Sequence, residues 1–133
     1  MVLYHKDLKM YLYPGGHLDN DDINPLEAAK REIIEETGLT NFELLKLNED
    51  KLIPIDIDTH LIGFNERLNL PEHYHFDIRY LFIIDKTEEI KIDAEELGDY
   101  QWIDINNLYN DPNYGKVASK IESLLTENKI KKV

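Results

Sequence analysis

An α/β/α sandwich around a mixed sheet is the fold this sequence predicts, on three observations. A helix with its own start and stop signals, Pro25 to Thr37, lies between strand-like runs. β-rich runs resume after it, from Phe42 to Ile103. A second amphipathic helix then closes the chain, from Gly115 to about Asn128. The 133 residues give room for one domain with a real core, so 1–133 reads as a single domain.

The elements follow in order. Val2-Leu3-Tyr4-His5 and Met10 to Tyr13 are short and strand-like, separated by a polar turn from His5 to Lys9. The second runs into the bend Pro14-Gly15-Gly16, where glycine permits positive φ and close backbone approach. Asn24 is the N-cap of the following helix, Pro25 its first residue, and Glu27 the third residue after the cap. Gly38 can take the left-handed conformation that ends it. Leu26, Ala29 and Ile33 form the stripe that faces a sheet. Phe42 to Leu47 reads as a strand. So does Leu52 to Ile62, with Ile53, Ile55 and Ile57 on the buried face against Pro54, Asp56 and Asp58; Pro54 pushes its start to an edge or bulge. Gly63 to Tyr74 is a polar loop. His75 to Asp85 is the most strand-like run, with Phe76, Ile78, Tyr80 and Phe82 on one side and Asp77, Arg79 and Leu81 on the other. Lys86 to Gly98 is an acidic connector before a short strand, Tyr100 to Ile103, and Asp104 caps a helical turn. The last helix carries Val117, Ile121, Leu124 and Leu125 at helical spacing, and the frayed basic end Lys129 to Lys132 complements its dipole.

Composition narrows the function. A net charge of −12 argues against nonspecific binding to nucleic acid or anionic membranes. The absence of cysteine removes disulfides, thiolate metal sites and thiol nucleophiles together. No 18-residue apolar run and no signal-like segment is present, so a cytoplasmic protein is expected.

The chemistry concentrates on the first helix. Glu32, Glu35 and Glu36, three and four residues apart, are neighbours on one face. Arg31 can pair with Glu27 and Glu35, which relieves only one edge of this repulsion. Such a carboxylate cluster on a rigid element suits a hard divalent cation, whereas a solvated acidic face is the plainer alternative. His60, His73 and His75 invite a zinc reading. Without cysteines or a His-Glu-x-x-His helix, they are expected to be surface or hydrogen-bonded histidines.

The neighbourhood favours the metal. Arg31-Glu32-Ile33-Ile34-Glu35-Glu36-Thr37-Gly38-Leu39 after a Gly-Gly bend resembles the signature of the Nudix hydrolases, over a box from 16 to 39; Tyr13-Pro14-Gly15-Gly16-His17 looks like the approach to it. The stretch from Gly16 to Arg31 is one residue longer than that signature, with the extra residue assigned to the Asp19–Asn24 loop. Asp22 or Asp21 stands where the family has its first glutamate, a contact of the arginine. Nudix domains usually carry several tens of residues before the glycines and this chain has 14, so the N-terminal part looks shortened. A sheet edge left unpaired there favours a homodimer.

The resemblance implies the Nudix fold and hydrolysis of a nucleoside diphosphate linked to another moiety. It implies Mg²⁺, or Mn²⁺ as a substitute, held by Glu32, Glu35, Glu36 and the Gly16 carbonyl, with Arg31 orienting the glutamates. The general base would be Glu35 in the box, or Glu95 or Glu96 on the later acidic loop. Tyr13 and His17 would lie beside substrate. Arg79 would be a structural partner of Asp77 or a contact to substrate phosphate. The alternative is a Nudix-derived module that binds a nucleotide without turnover.

Overall fold

Lys9 lets the chain reverse on itself. It takes a left-handed conformation (φ 55°), and its amide donates to the His5 carbonyl at 2.8 Å, joining β1 (Val2–His5) to β2 (Met10–Leu12). The computed structural model describes residues 1–45 and 53–127. β1 is the central strand of an antiparallel sheet, with β2 on one side and β7 (Leu97–Gln101) on the other. Val2, Leu3 and Leu97 are almost completely buried there. The last strand starts earlier than Tyr100, because pairing with β1 begins at Leu97 opposite His5; Trp102 falls beyond it and is 39% exposed.

α1 (Pro25–Thr37) has the bounds its capping residues dictate. Asn24 Oδ1 accepts from the Glu27 amide at 3.1 Å, and Gly38 (φ 68°) sends its amide back to the Ile34 carbonyl at 2.9 Å. Leu26 and Ile33 are buried as the stripe requires, but Ala28 rather than Ala29 is the buried alanine. Leu39 is buried just beyond the cap.

The remaining strands form two further antiparallel pairs. β3 (Phe42–Leu44) pairs with β6 (Phe82–Ile84), and the Leu45 amide extends the ladder to the Leu81 carbonyl at 2.8 Å. The expected end of this strand at Leu47, and the start of the next at Leu52, lie outside the described residues. β4 (Asp56–Ile62) pairs with β5 (His73–Arg79). The polar loop between them is closed by a bridge between Asn65 and Leu70 and yields His73 and Tyr74 to β5.

Two expectations fail here, for linked reasons. The run from His75 to Asp85 is not one strand: it breaks at Tyr80–Leu81, where the chain changes partner from β4 to β3. The faces of the hairpin are also reversed. Ile57 and Phe76 point outward at 57% and 70% exposure, whereas Asp56 is 2% exposed. Asp56 is enclosed by cations, with Arg79 Nη1 at 2.7 Å, Lys116 Nζ at 3.2 Å and Lys120 Nζ in closer contact. A carboxylate so paired can occupy an inner position that an apolar side chain would otherwise take.

Asp104 caps a 3-10 turn, Ile105–Asn107, through the Asn106 amide at 2.8 Å. α2 (Gly115–Thr126) follows, burying Val117 and Ala118; the expected basic end at Lys129 to Lys132 lies outside the described residues. No helix among the described residues is long and apolar enough to cross a membrane.

Candidate active site

Helical spacing sets the three glutamates of α1 side by side, and the Gly15-Gly16 bend closes over them. Glu32 Oε1 and Glu35 Oε2 both accept from Arg31 Nη1 at 2.9 Å. Glu36 turns the other way, its Oε2 accepting from the Gly15 amide at 2.9 Å and its Oε1 lying 4.0 Å from His5 Nε2. All three line one cleft of about 360 Å³ with Gly16, Asp93 and Glu96.

Arg31 is the hub of this arrangement. Its Nε and Nη2 grip the two oxygens of Asp22 at 3.2 and 2.9 Å, and Nη2 also donates to the His17 carbonyl at 3.0 Å. The expected Arg31–Glu27 pair does not form, because Lys30 takes Glu27 at 2.8 Å and the bend supplies Arg31 with better-placed acceptors. Asp22, one of the two aspartates expected at the place of the first glutamate, thus clamps the arginine through two of its nitrogens. Hydrogen bonds from Arg31 hold its carboxyl below the usual carboxylate range.

Glu36 moves the opposite way. Burial pushes its pKa up to about 7; the Gly15 amide opposes that rise, and Glu32, Glu96 and Glu35 add to it. Among the residues lining the cleft, Arg31 is the only arginine or lysine, facing Asp19, Glu32, Glu35, Glu36, Asp93 and Glu96.

This donor set fits a hard divalent cation. Its acidic side chains offer hard oxygens, with no thiolate, and Gly16 lies so close to Glu32 that a Cβ there would overlap the carboxylate. Among the described residues, no three His, Asp or Glu side chains converge on one point as they stand, since Arg31 and the Gly15 amide engage the glutamates. Glu32 already lies against Gly16, so metal ligation at this place requires Glu35 and Glu36 to turn from the guanidinium and the Gly15 amide toward that pair.

Of the two later glutamates, Glu96 reaches the cleft and Glu95 remains exposed outside it. The connector that carries them is pinned to the end of α1: the Lys91 amide donates to the Thr37 carbonyl at 2.8 Å, and the Asp93 amide to the Glu36 carbonyl at 3.2 Å. His5, Asp19 and Asp93 also line the cleft and were not singled out from sequence. For His5 a signal existed, because it shares the inward side of β1 with Leu3.

The expected substrate-side residues separate. His17 lines the cleft. Tyr13 stands apart, packed on Tyr114 at a ring-centroid distance of 4.4 Å, with burial pushing its hydroxyl up to about 12. Arg79 is engaged by Asp56 at 2.7 Å and Asp77 at 3.0 Å, the structural arrangement of the two considered.

Comparison with known proteins identifies the family. The NUDIX domain family model matches residues 4–124. A probable DHNTP pyrophosphohydrolase of Lactococcus lactis subsp. cremoris (strain MG1363) is 36% identical over 85 residues, covering 64% of this chain and 45% of that protein. An RNA pyrophosphohydrolase of Bartonella henselae is 30% identical over 122 residues, covering 81% of this chain and 66% of the relative. An RNA pyrophosphohydrolase of Pelagibacter ubique (strain HTCC1062) is 33% identical over 122 residues, covering 81% and 75%. The chain therefore spans under half of the first relative and about two thirds of the second. With the family model covering nearly its whole length and the signature helix lining the cleft, this chain belongs to the Nudix family.

Proposed function

We propose that this chain hydrolyses a pyrophosphate bond in a nucleotide-type substrate, a nucleoside diphosphate linked to another moiety, using Mg²⁺ with Mn²⁺ as a substitute. The observation that carries this reading is the convergence of Glu32, Glu35, Glu36 and Gly16 on one cleft behind a single arginine. Glu32, Glu35, Glu36 and the Gly16 carbonyl would hold the ion. Bound there, it would offset phosphate charge and acidify the attacking water.

The chain's own residues do the rest. Arg31 holds Glu32 and Glu35 together beside the bend, to be released to the ion, and Asp22 keeps Arg31 in place. The Gly15 amide fixes one oxygen of Glu36. Glu35 and Glu96 are the candidates to take a proton from water, Glu96 being the member of the later pair that reaches the cleft. Glu95 is left as a solvent-exposed neighbour. His17 is the residue we assign to the substrate side of the bend, in a protein we assign to the cytoplasm.

A second substrate reading is favoured by relatives whose names specify RNA pyrophosphohydrolase. The net charge of −12 disfavours a long polyanion, which is why a small nucleotide is preferred here. The test is release of phosphate, pyrophosphate or mononucleotide, with Mg²⁺, from a panel of nucleotide sugars, dinucleoside polyphosphates, pteridine nucleotides and 5′-triphosphorylated RNA. Glu35→Gln and Glu36→Gln should each lower kcat at least about a hundredfold while the fold survives. Wild-type rates in both variants would end the metal-helix assignment. Binding of a nucleotide with no turnover across the whole panel would replace the enzyme with a binding module.

A further inference from the structure

Four of the chain's five histidines gather where the inner face of the β4–β5 hairpin meets the glycine bend, and of these four His17 alone also lines the carboxylate cleft. The register brings them together: His60 lies opposite His75, and His73 follows two residues away on the same face. His17 arrives from the bend, one residue beyond Gly16. Ring centroids of His73, His17 and His60 lie 5.0, 5.4 and 5.6 Å from that of His75.

The nitrogens of this group are oriented. His73 Nδ1 lies 2.8 Å from the Pro71 carbonyl, which only accepts, so Nδ1 carries the proton and Nε2 keeps its lone pair in the neutral ring. That Nε2 is 3.1 Å from Nε2 of His75. His60 Nδ1 lies 3.6 Å from Asp77 Oδ2. An imidazole whose Nδ1–H is held by a carbonyl or carboxylate is the usual form of a metal-bound histidine. Two nitrogens on one tetrahedral zinc, each with a bond of about 2.0–2.1 Å, stand about 3.3 Å apart, close to the spacing seen here.

We propose that His73 and His75, completed by His60 and by His17 at the edge of the glutamate cleft, bind a borderline divalent ion of the zinc class through imidazole nitrogens, with the glutamates taking no part. Imidazole nitrogen selects such an ion, as carboxylate and carbonyl oxygen select magnesium. Among the described residues no three of these donors yet meet at bonding distance of one point, so occupancy turns His60 and His17 inward onto the His73–His75 pair. The competing account is a hydrogen bond between His75 and His73 and nothing more.

The full-length chain, stripped with chelator, is titrated with Zn²⁺ by calorimetry in a large excess of Mg²⁺. One Zn²⁺ should bind per chain. His75→Gln and His73→Ala should each weaken it about a hundredfold, and Glu35→Gln should leave it unchanged. Co²⁺ on the wild-type chain should give the intense visible bands of a tetrahedral nitrogen-rich site, a readout that does not depend on a variant folding. Absence of Zn²⁺ binding in excess Mg²⁺, an unaltered affinity in His75→Gln, or octahedral Co²⁺ spectra would each overturn the site and leave only the imidazole hydrogen bond. No outcome here depends on hydrolysis, so this site and the proposed activity stand or fall separately.

Discussion

The cleft on α1 and the inner face of the β4–β5 hairpin flank the same glycine bend, and they handle charge in opposite ways. The cleft gathers six carboxylates around one guanidinium and leaves Glu36 half-protonated near neutrality. On the hairpin, Asp56, Asp58 and Asp77 are met by Arg79, Lys116 and Lys120. One region keeps unbalanced charge on a rigid helix, available for a ligand. The other spends matched charge on joining α2 to the sheet, through pairs about 60 residues apart in sequence, Lys120 and Asp56 being 64 apart. Excess charge marks the functional region and compensated charge the structural one.

The strongest way to break this contrast is Asp56→Ala. Removing the enclosed carboxylate strands three cations, and urea unfolding should show a loss of about 3 kcal/mol, the lower end for a buried pair because both lysines keep partial contact with water. Burial raises the Asp56 carboxyl, but hydrogen bonds from Lys120, Arg79 and Lys116 outweigh it and bring it down to about 2. Its contribution is therefore present above the unfolded value near 4 and disappears as pH falls through about 2. A variant of undiminished stability would mean the network is ornamental.

Glu36 should behave with the opposite sign. Its folded pKa, near 7, lies above the unfolded value, so the metal-free protein loses stability as pH rises from about 4.5 to 7, by no more than ~3 kcal/mol, and then levels off. Glu36→Gln should flatten that decline in thermal melts across this pH range, and Mg²⁺ should reduce it in the wild type. A stability curve that rises through this window in the wild type would contradict the assignment.

Smaller effects sharpen the local picture. Gly16→Ala drives a methyl into the Glu32 carboxylate and should weaken Mg²⁺ binding about tenfold by calorimetry, without unfolding the chain. Asn24→Ala removes the cap bond to Glu27 and should cost about 1 kcal/mol in denaturant unfolding.

What was legible from sequence follows the same division. Both bounds of α1, its glutamate face and the bend before it rest on spacings within a dozen residues, where periodicity and capping chemistry govern the outcome. The arginine's partners were half legible: Glu35 is one turn away, while Asp22 and the His17 carbonyl depend on how the Asp19–Asn24 loop folds back. The hairpin defeated the alternation rule because Asp56 is held by two lysines of α2, which no local window contains. His60, His73 and His75 stand out in the sequence as a set, expected to be surface or hydrogen-bonded; what no local window shows is His17 beside them, since it arrives only through the bend.

The tie between the connector and the end of α1 has an evolutionary corollary. It is made by main-chain amides at 91 and 93, which every residue except proline possesses. The tie itself therefore survives a change of side chain at either position, although Asp93 also accepts from the Glu95 amide and lines the cleft beside Glu96. Proline at either position is the substitution that a library randomised there should fail to return.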